Sequence, residues 1–366
     1  MKKEPLIRVI KDDKAQDRTF AQKLVIRIIA VVLAFVAVVI FVNATAGMSP
    51  LTTLGYMWEG AFGNSIYLKD TVFYTAKLLL ISVALAPAFK MRFWNCGAEG
   101  QVLAGGLATA IIMVNFGSLP GPLLILLMVV SALVLSAVWG ILPAFFKAKL
   151  GVNETLFTLM MNYVAIQLVA FFYDQWKGVA SSLGKLNKGT QAGYLPPLFG
   201  SEDGWLILTV IVMTVFVYFY LRKTKHGCEI TVIGASEATA RYLGINVKWT
   251  IIRTMAISGM ICGLCGFMTV AGHDHTISAS ATAGGFGFTA IIVAWLAHFN
   301  TGSMVIISIL IIFLQRGTQH IADKSTIFDA SAGNIVVGIV LLFVIGSEFF
   351  INYRLRLRGS KAKEVK

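Results

Sequence analysis

Apolar runs of about 20 residues alternate along the chain with short polar stretches, a spacing set by the thickness of a bilayer rather than by the width of a soluble core. Windows of that length predict ten helices, at residues 24–42, 70–89, 93–115, 122–146, 154–173, 204–221, 251–272, 283–299, 302–320 and 332–351. The pattern is that of an all-α polytopic membrane protein. It places a single transmembrane domain over 24–351, after an N-terminal segment at 1–23 and before a basic tail at 352–366. Two polar stretches between spans are long enough to carry function: residues 174–203, with a Gly/Ser/Lys-rich middle, and residues 222–250. The first exceeds the usual connection length, which marks it as functional or disordered.

Composition agrees, with 57% hydrophobic and 13% charged residues among 366. Charge adds orientation. With a cytoplasmic N-terminus, 24 of the 31 Lys and Arg fall on the inner side and five on the outer, leaving Lys77 and Arg316 within spans. That is the positive-inside bias, and it predicts both termini in the cytoplasm and the 174–203 loop outside. The connection around His298–Ser303 carries no Lys or Arg and is placed inside by alternation alone. The formal charge of +13 is thus a topology signal and favours proximity to anionic lipid over nucleic-acid binding. Ala44-Thr45-Ala46 imitates a signal-peptidase site, but the basic region before it is too long and further spans follow, so the first helix is read as uncleaved. The first 23 residues alternate Lys, Asp and apolar positions, which fits a surface helix on the inner leaflet or a disordered tail.

The four cysteines predict no disulfide framework. Cys262-Gly263-Leu264-Cys265 has redox-like spacing, but it belongs to Ser258-Gly259-Met260-Ile261-Cys262-Gly263, where small residues three and four apart let helices approach closely. In the 222–250 loop a short helix is legible. Ala235 precedes it, Ser236 caps, Glu237 sits in the first turn, Ala238 and Tyr242 share a face beside Arg241, and Gly244 ends it. Such an element either docks in a groove of a cytoplasmic partner or packs on its own spans.

The chemistry worth noting lies at membrane depth. Asn95-Cys96-Gly97-Ala98-Glu99-Gly100-Gln101 opens a Gly-rich third span, and Ala281-Thr282-Ala283-Gly284-Gly285-Phe286-Gly287-Phe288 interrupts the eighth. Paired Gly-broken segments in corresponding places of two pseudo-repeated halves point to a transport site. Glu99 lies close to the midplane if the entry to its helix is extended, and nearer the interface if the helix is regular from Phe93. Gly151-Val152-Asn153-Glu154-Thr155 and Asn162 offer further amides and a carboxylate suited to a polar, hydroxyl-bearing solute. Glu154, five residues after Lys149, equally reads as a group reaching the interface. His273-Asp274-His275 reads as interfacial rather than as a metal site. No nucleophile elbow, zinc-protease motif or phosphate loop is present, so any ATP that powers the protein binds another chain.

The ordered set Asn95–Gln101, Gly151–Glu154 with Met161-Asn162-Tyr163, Gly234–Ile245, Ser258-Gly259 and Gly285–Phe288 resembles the permease subunits of bacterial ABC importers of the simple-sugar and nucleoside type. The resemblance covers roughly residues 70–350 and is nearer to the nucleoside branch, whose receptor is a basic membrane lipoprotein. Cys96 replaces the usual Ile or Leu, and Asn300-Thr301-Gly302 stands where the family tends to have Asn-Pro-Leu-Gly. The resemblance implies a multi-pass protein of the bacterial cytoplasmic membrane, without a cofactor or metal of its own. Its implied partners are a second permease chain, an external solute-binding lipoprotein and a subunit that carries ATP and Mg. It further implies that the 235–244 helix couples to the ATPase. On that reading Asn95, Glu99, Gln101, Asn153, Glu154 and Asn162 line the route of a nucleoside or simple sugar, with Phe286 and Phe288 available to stack on a base. The competing reading from the residues alone is an ion-coupled secondary transporter using Glu99 or Glu154.

Overall fold

A computed structural model describes residues 7–11, 20–198, 200–324, 335–336, 338–340, 342–343, 346–347, 349 and 353–357. The chain divides into two compact units, Met1–Leu68 with Ile311–Lys366, and Lys69–Leu310. Among the described residues, eight helices are long and apolar enough to cross a membrane, and nine if one bent pair counts as a span. The expected tenth span, 332–351, lies outside the continuously described residues. The all-helical class holds for the membrane region.

In the first unit, α1 (Phe20–Ala46) and α2 (Pro50–Phe62) meet at 104°. The sequence windows did not anticipate α2, although its start is chemically marked: Ser49 Oγ accepts from Thr52 N at 3.3 Å and Pro50 occupies the first turn. It packs on the end of α12 (Thr301–Lys324), with Phe62 stacked on Phe313 at 5.9 Å and Gly60 against His320. The exception to the helical class is a two-stranded antiparallel ribbon, β1 (Ile7–Lys11) and β2 (Tyr353–Leu357), in register from Ile7 opposite Leu357 to Lys11 opposite Tyr353. It corrects the surface-helix expectation for this part of the N-terminal segment. Ile-Arg-Val and Leu-Arg-Leu alternate with a period of two, which a strand uses and a helix does not. The ribbon sets Ile7–Lys11 beside Tyr353–Leu357.

The second unit is built around three helices, α4 (Ala98–Asn115), α5 (Gly121–Leu150) and α10 (Val247–Met268). Gly259 and Gly263 of α10 lie against the backbone of Ser136 and Ala132 in α5, and Gly266 rests on Val102 and Gly106 of α4. A methyl group at any of the three would strike backbone. The small-residue spacing therefore serves close packing, and Cys262 and Cys265 are free thiols buried beside it. The interior also takes α3 (Ser65–Lys90), whereas α5, α6 (Glu154–Lys177) and α7 (Gly204–Lys223) have only a third or less of their apolar windows buried. After α7 come α8 (Lys225–Ala235) and α9 (Glu237–Tyr242), then α10, two π-helical turns at Thr269–Asp274 and Ala279–Ala283, and α11 (Phe286–Leu296).

Candidate functional site

The third and eighth spans are both broken, and their breaks meet. Residues 91–97 enter α4 without helical structure, so α4 begins at Ala98 rather than at the expected Phe93. Polar side chains from elsewhere satisfy that irregular backbone. Thr158 Oγ1 accepts from Cys96 N at 3.1 Å, while Asn162 donates to Cys96 O and accepts from Gly100 N, each at 2.8 Å. Asn95 Oδ1 accepts from Gly97 N at 3.0 Å and from Gln101 Nε2 at 3.3 Å, and its Nδ2 reaches Ser258 Oγ at 3.3 Å. Asn95, Gln101 and Asn162 are all buried. Their hydrogen bonds go to the chain itself, as buried amides require.

The second break lies at Gly284-Gly285, whose φ values of 63° and 79° are left-handed and suit glycine. It leaves the first amides of α11 without helical partners. Glu99 supplies the missing acceptors: Oε1 takes Gly285 N and Oε2 takes Gly287 N, both at 2.7 Å. Glu99 also stands in the first turn of its own helix, so one carboxylate sits at the positive ends of two helix dipoles. Gly287 has no room for a side chain, because a Cβ there would collide with the Glu99 backbone. On the other flank of the break, Lys77 Nζ donates to Ala281 O at 2.8 Å and lies 5.2 Å from the Phe286 ring centroid. Lys77 is 1% exposed, and Glu99 and Asp274 are the carboxylates within its electrostatic reach. A carboxylate thus holds the start of α11 and an ammonium holds the end of the turn before it.

The expected site residues divide on this map. Asn95, Glu99, Gln101 and Asn162 converge. Phe286 joins them at the rim, stacked on Tyr74 at 5.6 Å, and Phe288 is exposed. Asn153 and Glu154 do not join: Asn153 caps α6 through Leu156 N, and Glu154 forms a 2.8 Å ion pair with Lys147 at the α5–α6 turn. The sequence marked Lys77 only as an ionisable group within a span and Ser258 only as a small packing residue, and it gave no sign of Thr158 or of Ser136, whose Oγ donates to Gln101 O at 2.8 Å.

At one end of this unit the loop from 178 to 203 is tied to the π-helical turn. Leu186 N donates to His275 O at 2.7 Å, Leu195 N to Ala271 O at 3.0 Å, and Tyr194 stacks on His275 at 3.8 Å. His273 Nδ1 lies 2.7 Å from Asp203 Oδ1 and its ring stacks on Phe73.

At the other end α9 follows the sequence closely. Ser236 Oγ accepts from Thr239 N at 3.2 Å, Arg241 pairs with Glu237 at 3.2 Å, and Gly244 closes the turn with φ 76°. Ala238 is exposed and Tyr242 stands out at 92% exposure, while Ala240 is buried. Helix α8, which precedes it and which the sequence reading left as loop, is anchored to α10 by Glu229–Arg253 at 2.9 Å. Although burial opposes it, the Arg253 guanidinium holds the Glu229 carboxyl below its ordinary range. A cavity of about 590 Å³ opens beside α9, lined by Lys147, Lys149, Arg241 and Lys248 together with Glu237.

Backbone broken at membrane depth persists only where protein or an aqueous path surrounds it, and two breaks braced by opposite buried charges make this chain a multi-pass transport protein. Residues 67–345 match the family described as the permease component of the branched-chain amino acid transport system, and the chain belongs to that family. Among its relatives, the guanosine ABC transporter permease NupP of Bacillus subtilis is 26% identical over 343 residues, covering 92% of this chain and 98% of that protein. The glucose ABC transporter permease TsgB13 of Haloferax volcanii is 28% identical over 347 residues, 90% of each chain. The nucleoside ABC transporter permease NupB of Lactococcus lactis is 25% identical over 363 residues, 94% of this chain and 95% of that one. The protein is therefore a permease subunit of an ABC importer, not itself an enzyme, and such subunits act with ATP-binding and substrate-binding partners.

Proposed function

We propose that this permease carries a nucleoside or a related sugar across the bacterial cytoplasmic membrane, paired with a second permease chain and fed by an external solute-binding lipoprotein. The ATP and Mg that drive it sit on a separate subunit, which grips α9. The observation that carries the reading is α9 itself. It is a capped helix on short tethers, presenting Arg241 and the nearly fully exposed Tyr242 beside a cationic cavity, on a chain with no phosphate loop of its own. Two of the three relatives described above are named for guanosine or nucleoside, which favours a nucleoside over a simple sugar as cargo.

ATP binding would draw paired ATPase subunits together and move α9 and α8 with them. Because α8 is joined to α10 through Glu229 and Arg253, that motion reaches the central helices. Solute contributes through its differential affinity for the outward- and inward-open states. The 178–203 loop, fastened to the π-helical turn, is the surface offered to the receptor.

The test is copurification of the ATPase subunit from membranes with tagged permease. Arg241→Glu and Tyr242→Ala should lose it, with permease abundance unchanged. Full retention by both variants would show that α9 is not the coupling element. Uptake that survives ATP depletion but collapses with the ion gradient would instead establish the ion-coupled reading.

A further inference from the structure

A second cationic cavity, of about 250 Å³, lies where the ends of α3 and α7 meet the connection between α11 and α12. Lys90 from the last position of α3 and Arg222 from the last turn of α7 converge on it, close enough to repel each other electrostatically. His298, Asn300 and Thr301 close the third side, and no acidic residue lines it. Thr301 is the first residue of a 24-residue helix, so the positive end of the α12 dipole adds to the charge of the two side chains. Two cations and a helix N-terminus gathered without a carboxylate form an unbalanced site, which an anion would relieve.

Helix α7 indicates what carries that anion. Ile211, Val215, Tyr218 and Arg222 follow at intervals of four, three and four residues and so form one face. Ile211 and Val215 are 56% and 50% exposed, and Arg222 lies over the Tyr218 ring at 4.7 Å. An apolar track leads along a membrane helix to a Tyr–Arg pair and then into a cationic pocket. This is the geometry of a lipid chain beneath its headgroup, with the aromatic residue at the boundary.

We infer that this cavity holds the phosphate of an anionic glycerophospholipid, whose acyl chain lies along the Ile211–Val215–Tyr218 face of α7. The lipid neutralises Lys90 and Arg222 and so fastens the α11–α12 connection to the ends of α3 and α7. The site is separate from α9 and from the Glu99–Lys77 break, and it stands or falls independently of the transported solute.

The test uses the full-length permease in detergent, with native mass spectrometry of bound lipid. Phosphatidylglycerol should bind in preference to phosphatidylcholine. The Lys90→Gln/Arg222→Gln double variant should weaken that binding about thirtyfold, the equivalent of about 1 kcal/mol for each charge removed. Lys177→Gln, on a lysine paired with Asp174 away from this cavity, should leave it unchanged. Asn300→Asp gives a second arm that does not risk the fold: it keeps the acceptor now serving Gly302 N at 3.0 Å and introduces a negative charge, so it should also weaken phosphatidylglycerol selectively. Equal binding of both lipids, or undiminished phosphatidylglycerol binding by both the double variant and Asn300→Asp, would overturn the inference. Displacement of the lipid by millimolar inorganic phosphate would assign the cavity to a free anion and overturn the lipid source. An acidic segment of the ATPase subunit would be revealed as the occupant if that subunit, and not lipid, were lost on Asn300→Asp.

Discussion

Replacing Glu99 separates the two jobs its carboxylate performs. Each oxygen accepts one backbone N–H at 2.7 Å, from Gly285 and Gly287, and the residue is 4% exposed, so solvent offers little substitute. A charge-assisted hydrogen bond of this kind contributes about 1.5–3 kcal/mol, and a buried N–H left without a partner costs about 1–3 kcal/mol. Glu99→Gln keeps one carbonyl oxygen but turns an NH₂ group toward the other N–H, so one bond is lost and two donors face each other. The expected loss is about 2–4 kcal/mol. Glu99→Ala orphans both amides and should lose about 3–6 kcal/mol. SDS titration of the purified permease in mixed micelles would rank the three proteins. Hydrogen exchange would locate the effect, because protection of the amides at 285–287 should fall in the order wild type, Gln, Ala while the centre of α5 stays protected. If Gln matched wild type in both measurements, or if Ala were no worse than Gln, the carboxylate would not be the cap of α11. The bracing of the broken span would then have to be sought elsewhere.

Gly287→Ala should destabilise by about 1–3 kcal/mol, since the new methyl meets the Glu99 backbone, whereas Gly285→Ala, with open space but φ 79°, should lose only about 1–2 kcal/mol; the same titration distinguishes them. Lys77→Met keeps an unbranched chain one atom shorter but removes the donor to Ala281 O and the positive charge near Glu99, so a loss of about 1–3 kcal/mol is expected, with uptake falling alongside it; unchanged stability would refute the bracing role. Glu229 titrates below its ordinary value of 4.5, so its contribution is complete above that value and is lost as pH falls through the lower folded value. Wild type should therefore exceed Glu229→Gln in stability at about pH 7, and the gap should narrow as pH falls below 4.5 and through the lower folded value; a constant gap would mean that charge is not what joins α8 to α10.

Legibility of the sequence follows the range of the interactions concerned. Helix α9 could be read almost residue by residue because its determinants are local: Ser236 caps three residues ahead and Gly244 closes the turn. Helix α2 had a comparable signal in Ser49-Pro50, but its apolar content was too modest to stand out beside true spans. The start of α4 was misplaced because Phe93 and Trp94 count as apolar in any window. The polar partners of the irregular backbone that follows them, at Cys96, are Thr158 and Asn162, more than sixty residues away. The tie from Glu99 to Gly285 spans 186 residues and leaves no periodic trace in either segment. Both Gly-rich breaks are visible from composition, but that Glu99 at one break serves the other is set by the folding together of distant segments. Asn153 and Glu154 were grouped with that site by residue type and spacing; the capping bond and the Lys147 pair, both short-range, occupy them instead.

The glycine seam joining α4, α5 and α10 bears on how the permease changes shape. Where the seam is mostly backbone against backbone, with the small Ser136 side chain beside it, there is little to rearrange, and these three helices are expected to move as one body. The non-helical joints at 91–97 and Gly284-Gly285, which border this body, are then places where a change between outward and inward access would be expected to be taken up. Glu99 pins the second of these joints, and the amides of Asn95 and Asn162 with the hydroxyl of Thr158 pin the first.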